Sequence, residues 1–217
     1  MDRTTILPNR ARIVFFGDSI TEAGVGPGGY VTLVKESLKA LYPGRRIDVI
    51  GSGVSGNRVP DLQARLERDV LSKKPTHVVV YIGVNDVGHR PVPHAEEGAD
   101  KEAYRRGLKS LLTRIQRSGA EAILCTPGVI GEDPSSGSNE NRLLDDYAVI
   151  SRRVAAEAGA GLCDLRAAFR QYLKMHNTEG RYQGILTYDG LHLNEAGNRF
   201  VARQMLRAFN APEYLPS

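Results

Sequence analysis

The stretch Ile13–Gly24, IVFFGDSITEAG, runs from a short apolar segment straight into Gly17-Asp18-Ser19. Five residues rich in Val, Ile and Phe read as a buried strand. A glycine and two small polar residues then mark the turn out of it. Ser19 lies three residues before Glu22, the spacing of a capping box, in which the hydroxyl accepts from a backbone N–H and the carboxylate reaches back. The same serine also stands where a nucleophile would stand. Local sequence leaves both readings open, and the rest of the chain decides between them.

Working outward, apolar runs alternate with longer helical patterns. A strand over 12–16 precedes a helix over 30–41, stopped by Pro43-Gly44. A strand over 47–50 precedes a helix over 60–71. The run 77–82, HVVVYI, precedes a helix over 101–118 closed by Gly119. A strand over 122–125 precedes a helix over 143–158 closed by Gly159. A short strand over 161–163 precedes helices over 165–175 and 195–209. Continuously apolar strands alternating with helices predict a parallel sheet covered on both faces, with right-handed crossovers. The expectation is an α/β fold, a three-layer α/β/α sandwich of about five strands, in one domain over 1–217. Gly88–Asp100 and Gly131–Asn141, rich in Pro, Gly and charge, read as surface loops at the carboxyl edge of the sheet.

Composition narrows the function classes. The chain has 217 residues, 41% hydrophobic and 25% charged, as in ordinary globular domains. Its 29 basic residues are mixed with 25 acidic ones for a net charge of +4. No dense basic run carries interleaved aromatics, so no nucleic-acid partner is expected. Arg199, Arg203 and Arg207 recur every four residues, the mark of a solvated helix face. No apolar run approaches a membrane span, and the opening MDRTTILPNRARI lacks an apolar signal segment. Cys125 and Cys163 read as buried thiols without a disulfide, and no Asn-x-Ser/Thr sequon is present. A cytoplasmic protein, with no membrane partner, is expected. Oligomeric state is left open, a homo-oligomer included.

Ligands of such sheets bind beyond the carboxyl ends of the strands. Four polar clusters fall there: Gly17-Asp18-Ser19, GSGVSGN over 51–57, Gly83-Val84-Asn85-Asp86, and Asp189-Gly190-Leu191-His192. Each has a plain explanation as turn, cap or surface histidine. Together they are chemically complementary. Ser19 needs a base to attack a carbonyl, and His192 can be that base. Asp189, three residues before it, can fix the imidazole tautomer. Asn85, the Gly56 amide and the Ser19 amide are candidate donors to a developing oxyanion.

These blocks resemble the SGNH (GDSL-like) hydrolase superfamily. FFGDSIT looks like its first block, with Ser19 at the nucleophile position. GVSGNRVPDL looks like the second, with Gly56 a donor. GVND looks like the third, with Asn85 the other donor, and DGLHLNEAG looks like the last, placing Asp189 and His192. The resemblance runs from residue 13 to 197. It implies a flavodoxin-like strand order 2-1-3-4-5, ester hydrolysis, and neither metal nor other cofactor. One departure is Gly51, where members often carry Asn; its expected effect is on loop support. The stretch from GVSGN through GVNDV further resembles small carbohydrate acetyl esterases, including those acting on acetylated xylo-oligosaccharides. The substrate expected is a small-molecule or oligosaccharide ester, with Asp18, Tyr30, Tyr188 and the Gly88–Asp100 loop as candidate contacts.

Four rivals are set beside this reading. One is a carboxylesterase, lysophospholipase or thioesterase with a longer acyl pocket. One is a metal hydrolase using Asp86, His89, Asp189 and His192, which lack a clustered ligand motif. One is phosphate or nucleotide binding by GVGPGGY over 24–30, which lacks a P-loop lysine. The last is a binding module that kept the fold without catalysis.

Overall fold

The computed structural model describes residues 7–87 and 101–216. Five strands, β1 (Arg10–Gly17), β2 (Arg46–Gly53), β3 (His77–Tyr81), β4 (Glu121–Cys125) and β5 (Gly161–Cys163), form one parallel sheet in the order β2-β1-β3-β4-β5. This is the strand order that the resemblance implies. Seven α-helices are described: α1 (Ser19–Ala23), α2 (Tyr30–Leu41), α3 (Val59–Asp69), α4 (Lys101–Arg117), α5 (Asn139–Ala158), α6 (Leu165–His176) and α7 (Glu195–Ala208). Helix α4 packs between α3 and α5, while α7 packs against α2 and α6. The two groups make the outer layers of the sandwich.

Burial follows position in the sheet. Ile13, Val14, Phe15 and Phe16 of β1 and all five residues of β3 are buried, since each strand has a neighbour on either side and a helix layer on either face. The edge strands β2 and β5 are half-exposed, as their positions dictate. Cys125 and Cys163 are free and buried, paired in register between β4 and β5. No helix among the described residues is long and apolar enough to cross a membrane.

Two local expectations are corrected. Helix α5 starts at Asn139, four residues before the expected start, because the Ser138 side chain caps it by accepting from the Asn141 N–H at 3.2 Å. The preceding segment is not wholly a surface loop either: Gly131 and Glu132 are buried. The other expected loop, Gly88–Asp100, lies outside the described residues.

The carboxyl edge is built by close backbone approach. Helix α1 lies against the end of β2, so that a Cβ on Gly53 would stand 2.0 Å from the Glu22 nitrogen and 2.6 Å from the Asp18 carbonyl oxygen. Gly51, the departure from the family pattern, faces Val25, whose Cγ1 would be 2.1 Å from a Cβ there. The position taken by Asn elsewhere is here filled by a neighbouring side chain. Substituting Gly53→Ala must displace α1. It is expected to destabilise the protein by about 1–3 kcal/mol, as overpacking does. A urea midpoint equal to that of the wild type would show that α1 yields freely.

Candidate active site

Ser19 is the first residue of α1, not its cap. The cap is Asp18, whose carboxylate accepts from the Ile20 N–H at 3.0 Å. The expected Ser19–Glu22 capping box is therefore absent. Glu22 instead accepts from the backbone N–H of Ser55 at 3.0 Å and from its hydroxyl, tying α1 to the loop that carries Gly56. Relieved of capping, the Ser19 hydroxyl lies 3.0 Å from His192 Nε2. On the far side of the ring, His192 Nδ1 lies 2.7 Å from Asp189 Oδ2. A carboxylate can only accept here, so the neutral ring carries its proton on Nδ1 and presents Nε2 as an acceptor to the serine hydroxyl.

Asp189 is held in turn by its own loop. Its Oδ1 accepts from the His192 N–H at 2.7 Å and from the Leu191 N–H at 2.9 Å. Burial pushes the carboxyl up, but these bonds, led by that of the His192 ring, outweigh it and hold it below the usual range. The group stays ionised where an imidazolium would need it.

The two other blocks meet beside Ser19. The Val54 N–H donates to the Gly17 carbonyl at 3.2 Å, joining the second block to the end of β1. Asn85 Nδ2 donates to the Asn57 carbonyl at 3.0 Å, joining the third block to the second. The buried Asp86 adds a second tie, accepting from the Val59 N–H at 3.1 Å. Gly56 turns at φ +75°, a left-handed conformation that favours glycine, with open space where a Cβ would be.

Among the proposed contact residues, one is exposed beside His192 and two are buried. Tyr188 is 61% exposed and its ring stacks on that of His192, with centroids 5.8 Å apart and planes at 16°. Tyr30 is fully buried: its hydroxyl bonds that of Thr21 at 2.9 Å, and its ring packs edge-on against Phe15 and Tyr81. Asp18 is 1% exposed and turned to the α1 amide, so neither presents a surface to substrate. Both precede or follow turns whose direction the sequence does not reveal.

Among the described residues, the groups of two rival readings are engaged elsewhere. Among the described residues no cluster of three or more His, Cys, Asp or Glu could hold a metal. Asp189 and His192 bind each other, Asp86 is tied to Val59, and His89 lies outside the described residues. At the start of α2 the amides that would cradle a phosphate are taken: Tyr30 N–H donates to Asn198 Oδ1 at 2.9 Å, and Val31 and Thr32 N–H donate to the Gly24 carbonyl.

Sequence reasoning missed two anchors. Arg65 of α3 is buried and donates to Gly17 O at 2.7 Å, Asn57 Oδ1 at 2.6 Å and Ser52 O at 3.1 Å, with its guanidinium 4.4 Å above the Phe16 ring. Its place on the apolar side of an amphipathic helix is the one available signal. Glu132, fully buried, accepts from the backbone just ahead of Asp189 and His192. No local signal marks it.

Comparison with known proteins agrees with this arrangement. Residues 15–200 match the model of the GDSL-like Lipase/Acylhydrolase family. The chain belongs to that family, and it is a serine carboxylic ester hydrolase. It is 34% identical over 212 residues to an acetylxylan esterase of Geobacillus stearothermophilus, covering 90% of this chain and 92% of that protein. It superimposes on the crystal structure of the acetyl xylan esterase AlAXEase with a TM-score of 0.86 at 40% identity, covering 91% of this chain and 98% of that one. A relative from Rattus norvegicus, an isoamyl acetate-hydrolyzing esterase 1 homolog, is 27% identical over 206 residues, 88% of this chain and 78% of its own.

Behind Ser19, burial pushes the Asp18 carboxyl from 3.8 to about 7, helped by the nearby Asp86 and opposed by the Ile20 amide. The folded state therefore holds a proton there that the unfolded chain loses above about 3.8. The resulting stabilisation is full below that value, declines as pH rises, and is gone above about 7. Asp18→Asn keeps a cap and removes the titration. The stability of wild type relative to this variant is expected to fall between pH 4 and 7, by at most ~1.4 kcal/mol per pH unit. Denaturant titrations across that range read it; parallel curves would show Asp18 ionised in the folded protein.

Proposed function

We propose that Ser19, His192 and Asp189 are nucleophile, general base and orienting carboxylate of a hydrolase that removes acetyl groups from carbohydrate esters. The observation that carries this reading is the continuous chain from Ser19 Oγ through the His192 ring to Asp189. His192 Nε2 takes the hydroxyl proton as Oγ adds to the ester carbonyl. The oxyanion is received by the Ser19 and Gly56 amides and by Asn85, each such donor being worth about 2.7–4 kcal/mol of barrier. His192 returns the proton to the leaving alcohol, and the acetyl group stays on Ser19. Water, deprotonated by the same nitrogen, then releases acetate.

The acetyl and carbohydrate assignments draw on the acetylxylan esterases among the relatives. Tyr188, exposed beside His192, offers a flat apolar face on which a sugar ring can lie. A single domain over 1–217 accords with one continuous buried core. A cytoplasmic setting accords with two buried, unpaired thiols.

Ser19→Ala is expected to abolish p-nitrophenyl acetate hydrolysis while leaving the fold intact by circular dichroism. Asp189→Asn is expected to lower kcat by about 10²–10⁴-fold. Activity that survives Ser19→Ala would remove Ser19 as the nucleophile, and a wild type without activity would bring the binding-module reading to the front. In an acyl series, acetyl should exceed butyryl and octanoyl; a preference for long chains would favour the carboxylesterase or thioesterase reading.

Tyr188→Ala should raise KM for an acetylated xylo-oligosaccharide by about tenfold, the loss of one stacked face at ~1.4 kcal/mol. KM for p-nitrophenyl acetate should stay near that of the wild type. Equal effects on both substrates would assign Tyr188 to support of His192 alone.

A further inference from the structure

The segment 177–194, which delivers Asp189 and His192, contains no helix or strand beyond a single bridge between Thr187 and Leu193. Something other than a ladder must hold it. Glu132, from the turn after β4, has no exposed surface and points its carboxylate into this segment. Its Oε2 accepts from the Ile185 N–H at 2.7 Å. Its Oε1 accepts from the Leu186 N–H at 2.6 Å, the Thr187 N–H at 2.5 Å and the Thr187 hydroxyl at 2.9 Å. Three successive amides form a concave anion seat, and a side chain of the protein fills it.

We propose that Glu132 is the positioning residue of the acid–base half of the site, setting the place of the His192–Asp189 turn relative to Ser19. The link is short. Thr187 Oγ1, donating to Glu132, accepts from the Gly190 N–H at 3.1 Å, inside the turn between Asp189 and His192. The Gly131 N–H donates to the Gly190 carbonyl at 2.7 Å, so Gly190 is held at both its N–H and its carbonyl. The Tyr188 N–H closes the loop on the His192 carbonyl at 3.0 Å.

Among the described residues this buried carboxylate has no basic partner, which makes it costly to keep, and an apolar residue would fill the volume at less cost. What the carboxylate adds is direction. Charge-assisted bonds to fixed amides specify one loop conformation, and a base must stand within hydrogen-bond reach of its proton.

The inference rests on Ser19 and His192 acting as nucleophile and base. It is tested on the full chain with Glu132→Gln, which keeps shape but turns an amide donor toward amides. Hydrolysis of p-nitrophenyl acetate is measured per folded enzyme, the folded fraction being read by circular dichroism at the assay temperature. The expected result is a fall in kcat of about tenfold or more with KM within about threefold, the size of a general-base effect partly lost. The acid limb of kcat/KM should also move to lower pH, since a displaced Asp189 stabilises the imidazolium less.

Thr187→Val is the second variant. It leaves Glu132 three amides and cuts only the relay to Gly190. It is expected to move the limb in the same direction with a kcat loss of about threefold. If Glu132→Gln does not fold, this variant decides. A kcat within about twofold of wild type, or an unmoved acid limb, overturns the inference. Ser19→Ala separates the two levels. If it stays active, the catalytic reading fails and the inference with it. If it is inactive while Glu132→Gln matches wild type, positioning alone fails.

Discussion

The guanidinium of Arg65 is the interaction on which the carboxyl edge depends. Parallel strands end in carbonyls that no further ladder satisfies, and buried backbone groups left unpaired cost free energy. Here β1 ends at Gly17 and β2 at Gly53, with the Ser19 turn and the Gly56 loop starting at once. Arg65 reaches Gly17, Ser52 and Asn57 from α3 with one planar group. Burial lowers its pKa, but Asp69 beside it offsets part of that cost. One residue thereby bonds both strand ends and fixes the spacing between the Ser19 turn and the loop of the proposed oxyanion donors. Asn85 and Asp86 then reach that same loop from β3, so three strand ends share one frame.

Most of the fold is legible in the sequence because its elements are self-contained. The runs at 13–16 and 78–82 are apolar at every position, as suits strands with neighbours on both sides and cover on both faces. Gly119 and Gly159 mark helix ends, and both take positive φ. What fails is capping at the level of single residues. At Ser19 the S-x-x-E pattern is present, yet Asp18 takes the cap because it stands one residue earlier, where the chain is still extended. At Ser138 a cap is present inside a run that reads only as loop. Both errors concern which of several adjacent polar residues takes the orphan amide, a choice settled by one peptide's dihedral angles.

The site divides in the same way. The candidates Ser19, Gly56, Asn85, Asp189 and His192 could be proposed from sequence because each lies in a block with its own turn chemistry directly after a strand or before a helix. Asp18, beside Ser19, and Tyr30, at the start of α2, both face inward. Glu132 is invisible for a different reason. Its partners lie 53 to 55 residues further along the chain. Its own surroundings, GEDPSSGSNEN, have the composition of a solvated loop. A buried carboxylate bound to backbone amides needs no complementary side chain, so no second residue type in the sequence points back to it.

The two halves of the site therefore have different mechanical characters. The half around Ser19 stands on strand ends, a helix start and a buried guanidinium, where displacement would break ladder bonds. The half around Asp189 and His192 stands on an irregular segment held by the Glu132 carboxylate, the Thr187 hydroxyl, the Asn177 and Asn194 side chains and backbone bonds. In the proposed mechanism the base must stand close to the Ser19 hydroxyl and also serve the leaving alcohol and water. A strand would hold His192 in one place, and a free loop would hold it nowhere. An irregular turn pinned at Gly190 by a buried anion lies between these limits, fixing the backbone of Asp189–His192 while leaving the imidazole, 27% exposed, room to turn. That distribution accounts for a charged group where packing alone would favour an apolar one.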